Sequence, residues 1–276
     1  MAAKRISFQD AWQLLLTTRA STIPGSVTLP MADVPLLTTL SDGLWTLHAE
    51  PADPTTAELI DCFMPFCHPA RPSVVFAQVG QSLDGRIATV TGASHYINGE
   101  AGLDHLHRLR AMADIVVVGA GTVHADNPRL TVRRVDGPHP DRAVIDPRRR
   151  IDPDQAVFDM SSAPTYRLVA GAPNSEHELQ VAPDGTPITP GAIVDALRAR
   201  GYRRIFIEGG SQTVSSFLHA GCLDRLHLIV APMIIGSGIP ALQLPEIDQL
   251  DLALRPETKA YTLGSDYLFD MCLRAP

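Results

Sequence analysis

An apolar run that ends in a glycine turn, Ile115–Val118 followed by Gly119-Ala-Gly121, constrains the fold of this chain more than any other feature. Consecutive β-branched residues bounded by glycine predict a buried strand. A strand that runs into a glycine-rich turn is how an α/β sheet presents backbone N–H groups to a phosphate. The turn lacks the rest of the dinucleotide-binding fingerprint, so its spacing alone is weak support for a nucleotide site.

From Ser73 onward, strand patterns alternate with helical ones. Strands are predicted over Val74–Val79, Ile115–Val118, Arg142–Asp146, Tyr166–Ala170, Arg204–Glu208 and Leu226–Ala231. Helices are predicted over Glu100–Ala113, over Pro190–Arg200, and from Gly209-Gly210 through about Ala220. The alternating runs 259–263 and 267–273 are expected to pair antiparallel. The fold class is therefore α/β, with a mostly parallel central sheet, flanking helices and an antiparallel C-terminal edge.

Residues 1–70 have a different pattern. Phe8, Trp12, Leu15 and Leu16 share one helical face, and a hairpin is predicted where Leu36–Leu40 and Leu44–Leu47 flank Ser41-Asp42-Gly43. Prolines at positions 51, 54, 65, 69 and 72 are expected to break up the remainder. We expect an N-terminal appendage of unknown role over residues 1–70 and one main domain over residues 71–276.

The composition of the chain argues against several classes of binding partner. The net charge of -7 argues against nucleic acid or an anionic membrane as the main partner. No apolar stretch reaches the roughly 18 residues of a membrane span, and the N-terminus has no signal-peptide core. The 4 cysteines are scattered and do not have the spacing of a disulfide framework, so we expect the protein in a reducing cytoplasm. Neither the Cys62, Cys67, His68 group nor the His105, His107 pair has the spacing of a common metal site, and we predict no metal.

Several segments carry charged or hydroxyl side chains next to predicted strand ends. Asp84-Gly85 predicts a tight turn after the first strand. Arg110, Arg129, Arg133 and Arg134 could converge on one phosphate, or could be ordinary solvated arginines. Glu208 stands before a helix whose N-terminus suits a pyrophosphate. Asp146 precedes Pro-Arg-Arg-Arg150, and an arginine at such a position can hold the 2′-phosphate of NADP.

These segments together resemble the reductase domain of bacterial riboflavin biosynthesis. The resemblance rests on Ser82-Leu-Asp-Gly85, on 119–133, on 205–216 and on the turn 231–238, which occur in the family's order. It implies a dihydrofolate-reductase-like fold, NADPH as cofactor, and a phosphoribosylaminopyrimidine that receives hydride at its sugar C1. It also implies a homodimer.

The resemblance assigns roles to individual residues. It implies that substrate is bound by Ser94, Arg110, Leu130, Arg133 and Glu208. It implies that NADPH is bound by Gly80, Tyr96, Thr122, Asp126, Gly210, Ser211, Gln212, Thr213, Val214, Ser215 and Ser216. The carboxylates of Asp126 and Glu208 are the candidates for shaping proton supply.

The chain departs from the family at some positions. Gln81 stands where many members have alanine, Tyr96 where they have tryptophan, and Pro147 where a small hydroxyl residue is frequent. The chain has no His-x-Glu followed by Pro-Cys-x-x-Cys, so we predict no deaminase activity. Two alternatives stay open: an NADPH reductase of another heterocycle or carbonyl compound, and a non-catalytic nucleotide-binding protein.

Overall fold

The chain folds into two compact units, Met1–Pro72 and Ser73–Pro276. The computed structural model describes residues 4–30, 32–71, 73–94 and 97–274. Among these residues, no helix is both long enough and apolar enough to cross a membrane.

In its described residues, the first unit contains two helices and five short strands. Its elements are β1 (Arg5–Ile6), α1 (Phe8–Ala20), β2 (Ser26–Val27), β3 (Leu37–Thr39), β4 (Trp45–Leu47), β5 (Glu50–Pro51) and α2 (Pro54–Cys67). β3 and β4 pair antiparallel, which confirms the predicted hairpin. α1 begins with a capping box, in which Ser7 and Asp10 each accept the other's backbone amide.

Helix α2 corrects the prediction that prolines break up this region. Pro54 occupies the first turn, where a backbone N–H would have no helical partner. Asp53 caps the helix, since its carboxylate accepts the amide of Thr56 at 2.8 Å. Pro65 lies near the C-terminal end, and Phe63 packs edge-on against Trp12 of α1 with ring centroids 5.5 Å apart. The Asp53 cap and the packing of Phe63 thus stabilise α2, although the number of prolines in this region disfavours a helix.

The described residues of the second unit form a 9-stranded sheet. Its strands are β6 (Val74–Ser82), β8 (Ile115–Gly119), β9 (Asp141–Ile145), β10 (Thr165–Ala170), β11 (Glu178–Ala182), β12 (Arg204–Ile207), β13 (Arg225–Ala231), β15 (Glu257–Leu263) and β16 (Asp266–Cys272). Their order across the sheet is β11-β10-β9-β8-β12-β6-β13-β16-β15. The first seven strands in the order pair parallel, and β16 and β15 pair antiparallel. The predicted mostly parallel sheet with an antiparallel C-terminal edge is confirmed.

Four α-helices and a short strand pair complete the described part of the second unit: α3 (Glu100–Met112), α4 (Ala120–Asp126), α5 (Pro190–Ala199), α6 (Ser211–His219), β7 (Arg86–Ala88) and β14 (Ile239–Pro240). Val75, Ala77 and Val79 of β6 share one buried core with Leu197 of α5 and Phe217 of α6. The parallel strands end at one edge of the sheet, where such folds bind ligands.

Helix α4 and strand β11 of the second unit were not predicted. Ala120–Asp126 was expected as a glycine-rich turn but forms a 7-residue helix that ends at Asn127, whose φ is 41°. Asparagine tolerates this left-handed conformation better than most residues. Glu178–Ala182 adds a strand at the sheet edge, where pairing on one side suffices and polar side chains are compatible with the position.

Candidate active site

Two strand-to-helix turns lie side by side at the carboxyl edge of the sheet, because β8 and β12 are parallel neighbours with Val117 opposite Ile207. Thr213 packs against both turns. A Cβ on Gly119 would lie 2.5 Å from Thr213 Oγ1, and a Cβ on Gly209 would lie 2.7 Å from Thr213 Cβ. Both turns therefore require glycine for their packing.

Predicted cofactor residues meet at this junction. The Gly210 amide donates to Thr122 Oγ1 at 3.0 Å. Ser211 is 5% exposed, and its hydroxyl has no hydrogen-bond partner within the described part of the chain. A Cβ on Gly121 would meet nothing within 4 Å. An unpartnered buried hydroxyl, open space and the N–H groups of the first turn of α6 together fit a phosphate-bearing cofactor.

The remaining predicted cofactor residues of α6 have different surroundings. Val214 belongs to the hydrophobic core. The Ser215 hydroxyl accepts the Gln243 amide at 2.8 Å. Gln212 and Ser216 are exposed. The side chains of Val214 and Ser215 therefore stabilise the packing of α6, whereas the Gln212 amide group is accessible beside the turn.

Arg110 and Glu208 form the principal ion pair of the site. Arg110 Nε donates to Glu208 Oε2 at 2.8 Å and Nη2 donates to Oε1 at 2.5 Å. Nη1 donates to the Thr131 carbonyl at 3.0 Å. The Arg110 and Glu208 side chains are 7% and 17% exposed. All three guanidinium nitrogens are thus occupied, and the bidentate geometry orients the Glu208 carboxylate.

Arg133 differs from Arg110 although both were predicted to bind phosphate. It is exposed, and its Nη1 donates to Thr131 Oγ1 at 2.6 Å. No carboxylate in the described ranges forms an ion pair with it. Partial burial, followed by the charges of Arg110 and Arg129, lowers the pKa of Arg133. Its guanidinium therefore lies in a positive environment that favours an anion.

His107 fixes the backbone at Arg133 by a hydrogen bond. Its Nδ1 accepts the Arg133 amide at 2.9 Å. Burial, followed by the charges of neighbouring arginines, lowers the pKa of His107 to about 4, so the ring is neutral at neutral pH. His105 has a different partner, since its Nε2 lies 2.8 Å from Nδ1 of His227.

The segment between α4 and Arg133 has strained backbone. Asn127 has a φ of 41° and Leu130 a φ of 54°. Leu130 is 1% exposed, and a branched side chain seldom adopts this left-handed conformation. Backbone of this kind is concentrated at functional sites. Asp126, the last residue of α4, is exposed at the start of the segment.

The predicted residues of the 80–96 segment are less closely grouped. A Cβ on Gly80 would overlap the Asn98 side chain, whose amide donates to Asp266 at 3.3 Å. Asn98 therefore takes the space beside Gly80, which is a packing reason for glycine that the sequence pattern did not reveal. Ser94 is exposed, and Tyr96 lies outside the described residues.

The predicted turn at Asp84 is confirmed and has a second function. Its carboxylate accepts the Ser82 hydroxyl at 2.5 Å, the Ile235 amide at 3.1 Å and the Gly236 amide at 2.6 Å. These hydrogen bonds, chiefly that from Ser82, lower the pKa of Asp84 to about 2. Asp84 thus ties the end of β6 to the loop that follows β13.

A pocket of about 580 Å³ opens beyond the ends of β8, β9 and β10. It is lined partly by Arg148 and Arg150, both exposed. Arg149 is not available there, because its Nε and Nη2 donate to Glu178 at 2.9–3.0 Å. The Asp146 carboxylate accepts the Arg150 amide at 2.9 Å. The arginine run after Asp146 therefore has one structural arginine and two accessible ones.

A smaller pocket of about 180 Å³ is lined by Arg129, Arg133, His139 and Arg142, among others. Arg142 was predicted only as a strand residue, yet it is 1% exposed. An arginine at the start of an otherwise apolar strand is the signal that could have identified it.

The second unit matches the family model of the RibD C-terminal domain over residues 73–269. The chain is 36% identical over 218 residues to the 2,5-diamino-6-ribosylamino-4(3H)-pyrimidinone 5′-phosphate reductase of Methanothermobacter thermautotrophicus, which covers 74% of this chain and 99% of that protein. It is 31% identical over 234 residues to the riboflavin biosynthesis protein RibD of Bacillus amyloliquefaciens, which covers 76% of this chain and 62% of that protein.

Solved structures have the same fold. A deaminase/5-amino-6-(5-phosphoribosylamino)uracil reductase from Thermotoga maritima superposes with a TM-score of 0.63 at 23% identity, covering 83% of this chain and 64% of that one. A pyrimidine reductase-like protein from Corynebacterium diphtheriae gives 0.58 at 24% identity, covering 75% and 94%. The chain thus spans nearly all of the archaeal reductase but only 62% of the Bacillus RibD protein. On the family match and these identities, this chain belongs to the RibD C-terminal domain family.

Proposed function

We propose that this chain is an NADPH-dependent reductase of riboflavin biosynthesis that converts 5-amino-6-(5-phosphoribosylamino)uracil to its ribitylamino product. One observation carries the proposal: the Arg110–Glu208 pair, which would bind the substrate, is directly next to the start of α6, which would bind the cofactor. Glu208, oriented by Arg110, is followed directly by Gly209, Gly210 and the unpartnered Ser211 hydroxyl. A hydride acceptor at Glu208 and a phosphate-bearing donor at α6 would be neighbours, as hydride transfer requires. The names of the relatives support the same reaction.

On the substrate side, Glu208 accepts hydrogen bonds from the substrate, and Arg110 keeps its carboxylate oriented. Arg133 pairs with the substrate phosphate, while Leu130 and Ser94 complete the contacts. The nicotinamide, when bound, supplies the hydride. The sugar ring oxygen that is released takes up a proton, and Asp126 and Glu208 are the carboxylates positioned to influence that uptake.

On the cofactor side, we assign Thr122, Gly210, Ser211 and Gln212 to the pyrophosphate, and the family resemblance assigns Gly80, Tyr96, Asp126 and 213–216 to the same cofactor. We propose NADPH rather than NADH because Arg148 and Arg150 line the pocket beyond Asp146. Guanidinium groups there would pair with a 2′-phosphate that NADH lacks.

A second substrate is favoured by the match to the archaeal reductase over 99% of its length. That protein is named for 2,5-diamino-6-ribosylamino-4(3H)-pyrimidinone 5′-phosphate, which carries an amino group where the uracil compound carries an oxygen. Both compounds share the phosphoribosylamino group on which Glu208 and Arg133 would act, so these residues serve either substrate.

We further propose that residues 71–276 are the reductase domain, that 1–70 are an appendage, and that the protein is a homodimer. β15 ends the sheet, and Leu250, Leu252 and Leu254 before it are 76%, 64% and 61% exposed. An open edge next to exposed apolar residues is compatible with a second copy. Sedimentation of the full chain should give the mass of a dimer, and a monomer at assay concentration would contradict this part.

The reductase proposal is tested by following the loss of NADPH absorbance with the purified full chain and each of the two pyrimidine substrates. We expect turnover well above an enzyme-free control with at least one of them. Asp126→Asn should reduce turnover without changing the melting temperature, since Asp126 is exposed. NADPH binding without turnover of either compound would favour a reductase of another substrate, and no NADPH binding would favour a non-catalytic protein.

A further inference from the structure

The turn that follows β9 contains an arginine in the left-handed conformation. Arg149 has a φ of 55°, and its amide donates to the Asp146 carbonyl at 3.2 Å. A residue with a Cβ seldom adopts this conformation, which persists only where the surrounding contacts fix it. Arg148 and Arg150, on either side, are exposed and line the larger pocket of about 580 Å³. A change of φ at Arg149 would therefore reorient the chain between the two pocket arginines.

Glu178 of the edge strand β11 holds Arg149 by a charged pair. Arg149 Nε donates to both Glu178 carboxylate oxygens at 3.0 Å, and Nη2 donates to Oε2 at 2.9 Å. Nη2 also donates to the Ala172 carbonyl at 2.7 Å. The two side chains are only 27% and 11% exposed, so water screens this pair less than it screens a pair at the open surface. The hydrogen bonds from Arg149 lower the pKa of Glu178, which is therefore ionised at neutral pH.

A second carboxylate fixes the backbone that leaves the turn. The Asp146 side chain is buried, and it accepts the Arg150 amide at 2.9 Å and the Ile151 amide at 3.0 Å. Asp146 thus holds the chain after the left-handed residue, whereas Glu178 holds the left-handed residue itself. The two contacts come from different strands, β10's neighbour β9 ending before Asp146 and β11 beginning at Glu178. The turn is therefore attached to the sheet at two separate points.

We propose that Glu178 is a positioning residue for cofactor selectivity: by pairing with Arg149 it holds the left-handed turn from which Arg148 and Arg150 line the larger pocket. The inference rests on the proposed NADPH site and adds to it a strand residue that acts through the turn. Without the pair, Arg149 would relax to a common backbone conformation, and the two pocket arginines would lose their shared orientation toward the 2′-phosphate. The binding of NADH, which lacks that phosphate, should not depend on the pair.

The first test compares two substitutions of Arg149 by fluorescence titration of the full chain with NADPH and with NADH. Arg149→Ala and Arg149→Gly both remove the pair, but glycine adopts the left-handed conformation freely and alanine does not. We expect Arg149→Ala to weaken NADPH binding about tenfold and Arg149→Gly about threefold, with NADH binding unchanged in both. Equal losses of NADPH affinity in the two variants, or no loss in either, would overturn the proposal, because the backbone conformation would then not matter.

The second test, Glu178→Ala, separates positioning from charge. The substitution removes a negative charge that faces the arginine run, so electrostatics alone would strengthen the binding of both nucleotides. Loss of positioning should instead weaken NADPH binding about tenfold and leave NADH binding unchanged. Arg255→Ala is the matched control and should change neither affinity, because Arg255 is an exposed arginine outside both pockets. NADPH binding by Glu178→Ala that is as tight as in wild type, or tighter, would overturn the proposal.

The double variant Arg148→Ala, Arg150→Ala distinguishes failure of this proposal from failure of the proposed cofactor site. If the double variant loses NADPH affinity while Arg149→Ala and Glu178→Ala do not, the 2′-phosphate site stands and the positioning role of Glu178 is refuted. If the double variant binds NADPH like wild type, the 2′-phosphate site itself is refuted and the positioning role with it. Melting temperatures identify any variant that does not fold, and if Arg149→Ala is one, Glu178→Ala decides.

Discussion

Arg110 and Arg133 were predicted to do the same thing, and the structure separates them. Arg110 is buried, and its three guanidinium nitrogens donate to Glu208 and Thr131. Arg133 is exposed and has one neutral side-chain partner, the Thr131 hydroxyl, among the described residues. The first arginine orients a carboxylate, whereas the guanidinium of the second is exposed and is paired with no carboxylate of the described residues. The neighbours that an arginine meets, more than its place in a motif, decide which of these functions it serves.

The largest effect is expected from breaking the buried pair. Arg110→Ala would leave the Glu208 carboxylate, 17% exposed, without its cation. We expect the free energy of unfolding to fall by about 3 kcal/mol, together with loss of reductase activity. Chemical denaturation measures the change. The double variant Arg110→Met, Glu208→Gln should regain part of the stability but no activity, and a single variant as stable as wild type would contradict the structural importance of the pair.

A smaller and more selective effect is expected at Arg133. Arg133→Ala should raise the KM for the pyrimidine substrate at least about tenfold, because a charge-assisted contact to phosphate is lost. NADPH affinity and the melting temperature should change little, since the side chain is exposed. Steady-state kinetics with either component varied separates the two effects. Equal losses for substrate and NADPH would refute the assignment of Arg133 to the substrate.

The same contrast recurs in the run 148–150. Arg149 is paired with Glu178, whereas Arg148 and Arg150 line the larger pocket. The double variant Arg148→Ala, Arg150→Ala should weaken NADPH binding about tenfold and leave NADH binding unchanged. Fluorescence titration with both nucleotides measures this selectivity, with Arg255→Ala as control. Parallel weakening of both nucleotides would place the 2′-phosphate elsewhere.

The smallest effect concerns the histidine that holds the Arg133 backbone. The pKa of His107 is about 4 in the fold, below its ordinary value of 6.5, so the unfolded chain binds more protons between these values. Stability should therefore fall as the pH falls through this window. His107→Asn, which keeps an acceptor, should lose about 1 kcal/mol less than wild type between about pH 7 and about pH 5.5. Identical pH profiles of the melting temperature would show that His107 does not carry this dependence.

The sheet was predictable because its strands are continuous apolar runs bounded by glycine or charge. β8 was predicted over 115–118 and spans Ile115–Gly119, and β12 was predicted over 204–208 and spans Arg204–Ile207. Helix α2 was missed because its stability comes from the Asp53 cap and from Phe63 packing on Trp12, which proline positions do not report.

The residues of the candidate site were predictable from the sequence, but the contacts between them were not. Arg110 and Glu208 lie 98 residues apart in the chain, and no local pattern indicates that a helix and a strand end will bring them together. The packing of Asn98 beside Gly80 and the burial of Arg142 likewise depend on tertiary contacts. From the sequence alone, only the types of residue at the strand ends could be predicted, and not the contacts that they make.

The most direct test of the central claim is the fate of the hydride. The full chain would be incubated with NADPH dideuterated at the nicotinamide C4 and with the phosphoribosylaminopyrimidine substrates, and the product examined by mass spectrometry and NMR. We predict a ribitylamino product with deuterium at the former sugar C1. A protein that binds NADPH but yields no labelled product from either pyrimidine would contradict the assignment of Glu208 and Arg133 to this substrate.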